Sequence, residues 1–426
     1  MTPERHDEEP QGDPTGEALG VDIRWHTDFI LTADSWAEGT SAQLLDGTSW
    51  RRFATRVAAI DDLIRDPRFP SDPVTRTDGY RFAATLLRNA LDFAVDDLDP
   101  GSPRVRWYTG RYKIGWDCPD ALYGSVNLEP GARYRLHGHR GSVRFLGLQT
   151  MAGVRTVRNT HADDWPIDAD GHFELLLGPD VEGPGTLPLD PDADKLLVRQ
   201  FFYDWVHEEP ARVDIGRLDD GTGTGVAEPL DPQRLARTLH AVMANVESNL
   251  RLWASINLSH REERANRFTG QEFGGSWGGQ AHQVAGITYL RVEPGEALIV
   301  EVPVPRAHYW SFSLCNFWAE TLDYSSHQSS LNGHQARVGP DGIFRAVVSH
   351  EDPGVPNWLD PVGHSEASII YRWNMTDSAP VPSTRLVRAD DIHAHLPNDT
   401  PSVSPGERAA VLRDRRLGVK RRFARV

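Results

Sequence analysis

Apolar positions along the chain follow two rhythms. In residues 49–66, Phe53, Val57, Ile60 and Ile64 recur at three- and four-residue spacing, and in residues 77–98 Tyr80, Ala83, Leu87, Ala90, Leu91 and Ala94 do the same. Such spacing stacks side chains on one side of a helix, and Asp99-Pro100-Gly101 ends the second helix. From Arg104 the period becomes two. "VRWYTGRYKIGW", "ALYGSVNL", "RYRLHGHRGSVRFLGLQT", "HFELLLG" and "KLLVRQFFYDW" read as short strands parted by Gly, Pro and Asp turns. A long helix over about residues 232–258 interrupts them. Leu235, Leu239, Val242, Met243, Val246, Leu250 and Trp253 form its apolar face, and Asp231-Pro232 caps its start. Strands then resume with "ITYLRV", "EALIVEVPV", "HYWSFSLCNFW", "IFRAVVSH" and "EASIIYRWN".

No strand–helix alternation runs through the chain, which argues against a doubly wound parallel sheet. The predicted class is mainly β: antiparallel sandwich or jelly-roll sheets with N-terminal helices and one long central helix. The divisions expected are an acidic disordered tail (1–20), a helical region (21–103), a first β domain (104–230), the long helix (231–265), a C-terminal β-sandwich (266–400) and a basic C-terminal helix (401–426).

Charge narrows the function classes. A formal net charge of −16 argues against a general polyanion binder, so no nucleic-acid partner is expected. Eight Lys or Arg lie between Arg408 and Arg425. They read as the wet face of a helix docking through Ala409, Leu412 and Phe423, in preference to a nucleic-acid or membrane patch. The two cysteines, Cys118 and Cys315, make neither a disulfide framework nor a zinc cluster. The first residues contain no apolar signal-peptide core, and no run of about 18 apolar residues occurs. A cytoplasmic location without membrane partner is expected, and a homo-oligomer is left open.

Candidate chemistry gathers where apolar strands turn polar. Alternation through "YWSFSLCNFWAE" places Trp310, Phe312, Leu314, Asn316, Trp318 and Glu320 on one face. An apolar face that hands over to Asn-Trp-Glu is what a strand lining a pocket would show. Glu320, if buried, must find donors or take an elevated pKa. Asp323 and Tyr324 follow it directly. Downstream, a strand ends at His350 where its apolar face turns polar, a proline-stiffened loop presents Asp352, Asn357, Trp358 and His364, and Arg372 sits on the last strand. Upstream, Asp120 and Tyr123 open a strand, while Arg199, Phe201, Tyr203 and Trp205 share one face. His137 and His139, two apart, suit a cupin-like metal site only with further ligands that spacing does not supply, so an exposed pair is preferred.

The expectation is a carboxylate–histidine acid–base site in a tryptophan-rich cleft, needing no cofactor or metal. Glu320 or Asp323 would be base or nucleophile, and His350 or His364 the acid. Asn316, Trp318, Tyr324, Asn357, Trp358, Arg372, Asp120 and Tyr123 would bind a polyhydroxylated or glycosylated small-molecule substrate. Asn316, Trp318, Glu320, His350, Asn357, Trp358 and His364 should then meet at one cavity. The alternatives are a non-catalytic binder of a small amphipathic ligand and the metal-dependent cupin-like enzyme.

The residues "ALIVEVPVP", "YWSFSLCNFWAETLDY", "PDGIFRAVVSH", "PNWLDPVGH" and "ASIIYRW" resemble the bacterial domain-of-unknown-function family 1214. "CPDALYGSVNL" is similar to the "N.DTLYS" signature of the 1254-type domain that commonly precedes it, with Cys118 for Asn and Ala121 for Thr. The resemblance implies a β-sandwich-rich, cytoplasmic protein of actinobacterial type. It brings no activity with it.

Overall fold

The computed structural model describes residues 39–95, 103–108, 110, 112–153, 155–218, 231–270 and 283–424. The expected acidic tail lies outside them. Three helices come first: α1 (Ser41–Leu45), α2 (Thr48–Ile64) and α3 (Pro73–Val95). The buried side of α3 is Phe82, Ala83 and Leu86, while Tyr80 is exposed and donates its hydroxyl to Asp61. The stripe is therefore turned from the one the spacing suggested.

The next strands form two sheets. Sheet 1 runs β1 (Arg106–Trp107), β2 (Ala121–Asn127), β8 (Lys195–Phe201), β4 (Phe145–Ala152), β5 (Arg155–His161), antiparallel throughout. Sheet 2 runs β7 (Thr186–Pro188), β6 (His172–Gly178), β3 (Tyr134–His139), β9 (Arg212–Arg217), parallel at β6–β7 alone. Leu122, Val126, Leu146, Leu148 and Val198 of sheet 1 pack on Tyr134, Leu136, Phe173, Leu175 and Ile215 of sheet 2. Alternate residues thus fill one sandwich core.

Helix α4 (Pro232–Glu263) follows, and both oxygens of Asp231 accept from its first amides, those of Gln233 and Arg234. It continues past residue 258, where the pattern stopped, because Asn257 and His260 are also buried. A second sandwich then forms. Sheet 3 runs β10 (Gln283–Arg291), β16 (Glu366–Thr376), β12 (Ala307–Cys315), β13 (Ser330–Asn332). Sheet 4 runs β15 (Trp358–Leu359), β14 (Ile343–Ser349), β11 (Glu296–Pro303), β17 (Ser383–Arg388), with its one parallel pair at β14–β15. Phe312, Leu314, Ile369, Tyr371 and Trp373 meet Leu298, Val300, Phe344 and Val348 between them. The mainly antiparallel β class read from the sequence is what the chain forms. Among the described residues no helix is long and apolar enough to cross a membrane.

Two contacts position the site. Helices α2, α3 and α4 cover the outer side of sheet 3, packing round Phe317 and Trp318. Gly79 of α3 lets that tryptophan approach, since a Cβ there would lie 2.7 Å from its ring. The sandwiches themselves abut where Ala121, Phe145 and Phe201 of sheet 1 meet Tyr309 of sheet 3. Asp120 lies in this seam, fully buried, accepting from Trp205 Nε1 (2.7 Å), Tyr309 OH (2.6 Å) and Asn332 Nδ2 (2.6 Å).

The C-terminal helix α5 (Pro405–Phe423) forms as expected and packs Phe423 on the first core, but the rest of its docking side differs. Ala409 is exposed, and the buried stripe is Arg408, Arg415, Gly418 and Arg422. Arginines seven apart lie on one side because seven residues are nearly two turns. They bury well here because the surface beneath offers carbonyl oxygens and aromatic faces. Arg408 pairs with Asp352 (2.8 Å) and lies over Trp358. Arg415 donates to the Tyr324 and Ser330 carbonyls (2.9 and 3.0 Å) over Trp205. Arg422 reaches the Pro119 carbonyl over Phe202 and Trp205. One helix thereby clips the second sandwich to the first. Arg415→Ala should cost about 3–5 kcal/mol in urea unfolding, the scale of stripping a buried charge from its partners, while Leu417→Ala at the exposed face should stay within about 0.5 kcal/mol. Equal effects would mean that the helix is not held by its arginines.

Candidate functional site

Strand β12 ends at Cys315, so the alternation expected through Glu320 stops there. The next five residues make a tight loop instead. Asn316 Oδ1 accepts from the Trp318 and Glu320 amides (3.0 Å each), and Ala319 takes a positive φ of 60°. Trp318 turns into the helices and donates to the Thr75 carbonyl (2.9 Å). Glu320, 1% exposed, turns towards α3. Its Oε2 accepts from Arg81 Nη2 (2.8 Å) and Asn316 Nδ2 (2.9 Å), while Oε1 receives no hydrogen bond among the described residues. Arg81 also lies 3.2 Å from Asp78, and Asp78 Oδ2 is 2.8 Å from His364 Nε2. The other nitrogen of His364 faces the Pro361 carbonyl at 2.9 Å.

The electrostatics follow from this packing. Burial pushes the Glu320 carboxyl up to about 7, against the pull of Arg81 and the Asn316 hydrogen bond. Burial alone would also raise Asp78, but the hydrogen bond and charge of His364 hold it below the usual carboxylate range. Burial likewise disfavours charged His364, yet the Asp78 bond and charge raise it above ordinary histidine. With both ring nitrogens facing acceptors, the imidazolium is the form that satisfies them. A carboxyl of raised pKa thus sits beside an ion pair.

A second polar group lies in the seam. Arg372 of β16 donates to Ser313 Oγ (3.3 Å) and to the Trp116 and Asp117 carbonyls. Asp117 accepts from the Thr321 amide (2.9 Å) and hydroxyl (2.7 Å), and Lys113 Nζ donates to the Thr321 and Leu322 carbonyls (2.6 and 2.9 Å). Thr321 adjoins Glu320, so the two groups form one polar seam. Burial lowers the Lys113 pKa and raises that of Asp117. Burial also pushes Cys118 up to about 11, so it stays a thiol at neutral pH. Arg199 lies over the Tyr123 ring, 5.7 Å from its centroid.

Of the residues singled out by sequence, Asn316, Glu320 and His364 come together at the acid–base group, and Asp120, Tyr123 and Arg372 meet in the seam. The convergence expected of seven residues does not form. His350 Nε2 lies 2.9 Å from the Val292 carbonyl. Asn357 bonds the Arg337 and Arg345 backbone (2.6 and 2.8 Å), and Trp358 donates to the Ser349 carbonyl beneath Arg408. All three are spent on backbone groups of this loop and of the segments beside it, because buried backbone there must find partners. Asp323 caps the turn at Ser325 and Ser326, and Tyr324 packs edge-on to Trp205 in the first core. Trp318 is enclosed by helices and offers no face to a ligand. His137 and His139 are exposed on the outer face of sheet 2, beside an open groove of about 770 Å³. Among the described residues no group of three or more His, Cys, Asp or Glu could hold a metal. Sequence reading missed Asp78 and Arg81, whose signal is faint: an acid and a base three apart, flanking a glycine inside a helix.

The chain is similar to an uncharacterised protein from Burkholderia cenocepacia, known from a crystal structure. The two are 30% identical with a TM-score of 0.77, over 82% of this chain and 99% of that one. A protein from Vibrio parahaemolyticus aligns over 78% of this chain and 100% of its own, at 12% identity and a TM-score of 0.42, too loose to bear on the site. No family model matches the chain, and no curated protein matches it.

The raised Glu320 pKa makes a stability prediction. The folded state keeps a proton that the unfolded chain releases near 4.5, so stability falls as pH rises from about 4.5 to about 7 and is level above. The loss attached to this group is of order 3 kcal/mol. Glu320→Gln lacks it, and His364 contributes alike to both proteins. Between pH 4.5 and 8 the wild type should therefore lose more stability to urea than the variant. Parallel losses would place the Glu320 pKa near its ordinary value.

Proposed function

The chain belongs to the family of the Burkholderia cenocepacia protein, and on that premise, which carries no activity with it, we propose that it is an acid–base enzyme. It is of hydrolase or lyase type, acts on a small polar molecule and exchanges protons through Glu320. One observation carries the proposal: a buried carboxyl titrating near neutrality, with one oxygen free of donors among the described residues. General acid–base groups work best with a pKa near the operating pH, and enzymes raise carboxyls by burial to reach it. Arg81 holds a positive charge at the same carboxyl, which would steady negative charge developing on a substrate.

Substrate recognition moves from the tryptophans to the seam, since Trp318 and Trp358 spend their rings on the protein itself. The resemblance to families 1214 and 1254 supports this reading, because residues of both motifs, Asp120 and Tyr123 on one side and Arg372 on the other, lie there. A reducing cytoplasm suits the two buried free thiols and belongs to the same proposal.

The test is turnover of chromogenic glycosides, esters and eliminable 2-hydroxy acids by wild type and by Glu320→Gln, both checked for folding by circular dichroism. The variant should lose at least ~10²-fold, the usual scale of general acid–base help. A folded Glu320→Gln that turns over undiminished removes the proposal, and so does a wild type that binds members of the panel and alters none.

A further inference from the structure

Where the C-terminal helix crosses the two sandwiches it borders a cleft of about 600 Å³. Glu407, Val411 and Asp414 of α5 line it, at spacings of four and three that put them on one side of the helix. Asp204, Trp205 and Val206, beyond the last strand of sheet 1, line it too, as do His334, Gln335 and Arg337, which follow β13. None of Asp78, Arg81, Asn316, Glu320 and His364 borders it. A concave space of this size at the meeting of structural units is where small ligands bind.

Most of the charged side chains round the cleft are already engaged. Arg408 pairs with Asp352, and Arg415 gives its N–H groups to the Tyr324 and Ser330 carbonyls, the Ser330 hydroxyl and Gln335. Glu407 accepts from the Ser404 amide (2.8 Å) and hydroxyl (2.7 Å) in the helix cap. Asp204 lies 2.7 Å from the His207 ring and 3.7 Å from His334 Nε2. Two charges remain. Arg337 and Asp414 are exposed, and neither side chain has a partner among the described residues. Gln335 engages only its side-chain oxygen, which accepts from the Asn332 amide (3.2 Å) and Arg415 (3.3 Å), so its own N–H groups are unspent among the described residues.

The two remaining charges are opposite in sign and belong to opposite ends of the cleft. The Arg337 amide donates to Asn357 Oδ1 (2.8 Å) and its carbonyl accepts from Asn357 Nδ2 (2.6 Å). The neighbouring Pro356 carbonyl lies 3.5 Å from Arg408 Nη1, so Arg337 is at the Arg408 end. Asp414 adjoins Arg415, which lies over Trp205 at the other end. From Arg408 to Arg415 the helix rises about 10 Å. Between the ends Leu331, Val403 and Val411 supply apolar surface, with Val411 40% exposed.

We propose that this cleft binds a free peptide of about three residues with small apolar side chains, since three extended residues span about 10 Å. Its carboxylate pairs with Arg337 and its α-ammonium with Asp414. The Gln335 N–H groups donate to a peptide carbonyl, and the side chains lie on Leu331, Val403 and Val411. A single amino acid holds its two charges too close together to reach both ends. A plain ω-amino acid reaches them but leaves the Gln335 donors unused. The peptide site is independent of Glu320 and of the acid–base reading.

The experiment is calorimetric titration of the full chain with trialanine at about pH 7, where a free α-amine is mostly protonated. Trialanine should bind one per chain with a Kd of about 1 mM or tighter. N-acetyl-trialanine and trialanine amide should each bind about 3–10-fold more weakly, between the scales of an exposed ion pair and of a hydrogen bond to a charged group. Arg337→Gln should weaken trialanine by the same factor and no longer distinguish it from its amide. Asp414→Asn should do likewise and no longer distinguish it from the acetylated form. Both residues are exposed and without side-chain partners among the described residues, so both variants should fold. Glu320→Gln should bind trialanine like wild type, which separates failure of this site from failure of the catalytic reading. No heat at about 10 mM trialanine, where millimolar binding would register, overturns the proposal. So does equal affinity for trialanine and both blocked forms, or for wild type and both folded variants. Binding of 6-aminohexanoate as tightly as trialanine overturns the assignment to peptides.

Discussion

The two sandwiches of this molecule meet round the buried carboxylate of Asp120. Its donors come from three places: Trp205 beyond the last strand of sheet 1, Tyr309 on β12 and Asn332 on β13. A carboxylate with no exposure tolerates the loss of none of them, because each missing donor leaves part of a charge unsolvated. The first sandwich therefore cannot leave the second without exposing or stranding that charge. Arg415 and Arg422 bring α5 into the same arrangement, their charges felt by Asp120 while their N–H groups hold carbonyls on either side. Two sandwiches and a terminal helix are made interdependent by one acid.

That arrangement generates the chemistry beside it. Joining two sheets face to face would ordinarily bury apolar side chains, as at Phe145, Phe201 and Tyr309. Away from this patch Arg199, Arg372, Lys113 and Asp117 are buried or half-buried polar groups. Thr321 ties Asp117 and Lys113 to the loop that holds Glu320. Proton exchange and charge recognition, as proposed, thus share one stretch of backbone.

Periodicity in the sequence foretold the sandwiches well, because alternate burial on a half-covered sheet is enforced at every residue. It failed at Glu320 for a local reason. Asn316 captures two amides and Ala319 adopts a left-handed backbone, so a strand pattern continues in letters after the strand has ended. Glu320, His364 and Asn316 were legible as chemistry, but Asp78 and Arg81 lie about 240 residues earlier on a helix, and no spacing rule links them. The stripe of Arg408, Arg415 and Arg422 was visible as a seven-residue repeat. Charge was assigned to water because arginine is rarely buried, and the carbonyls that receive it belong to distant loops.

Glu320 poses the sharpest question about purpose. As an anchor between α3 and the second sandwich it has the wrong chemistry. A glutamine could accept from Arg81 and Asn316 through its carbonyl oxygen without any desolvated charge, leaving only its amide N–H groups to be placed. An aspartate–histidine pair already supplies the ionic link at the same place, with Asp78 lowered and His364 raised so that each stabilises the other. What glutamate alone adds is a proton that comes and goes near pH 7 inside a structure otherwise fixed by hydrogen bonds. Under the proposed reading, a group kept where it weakens the fold above its pKa is one whose proton is used.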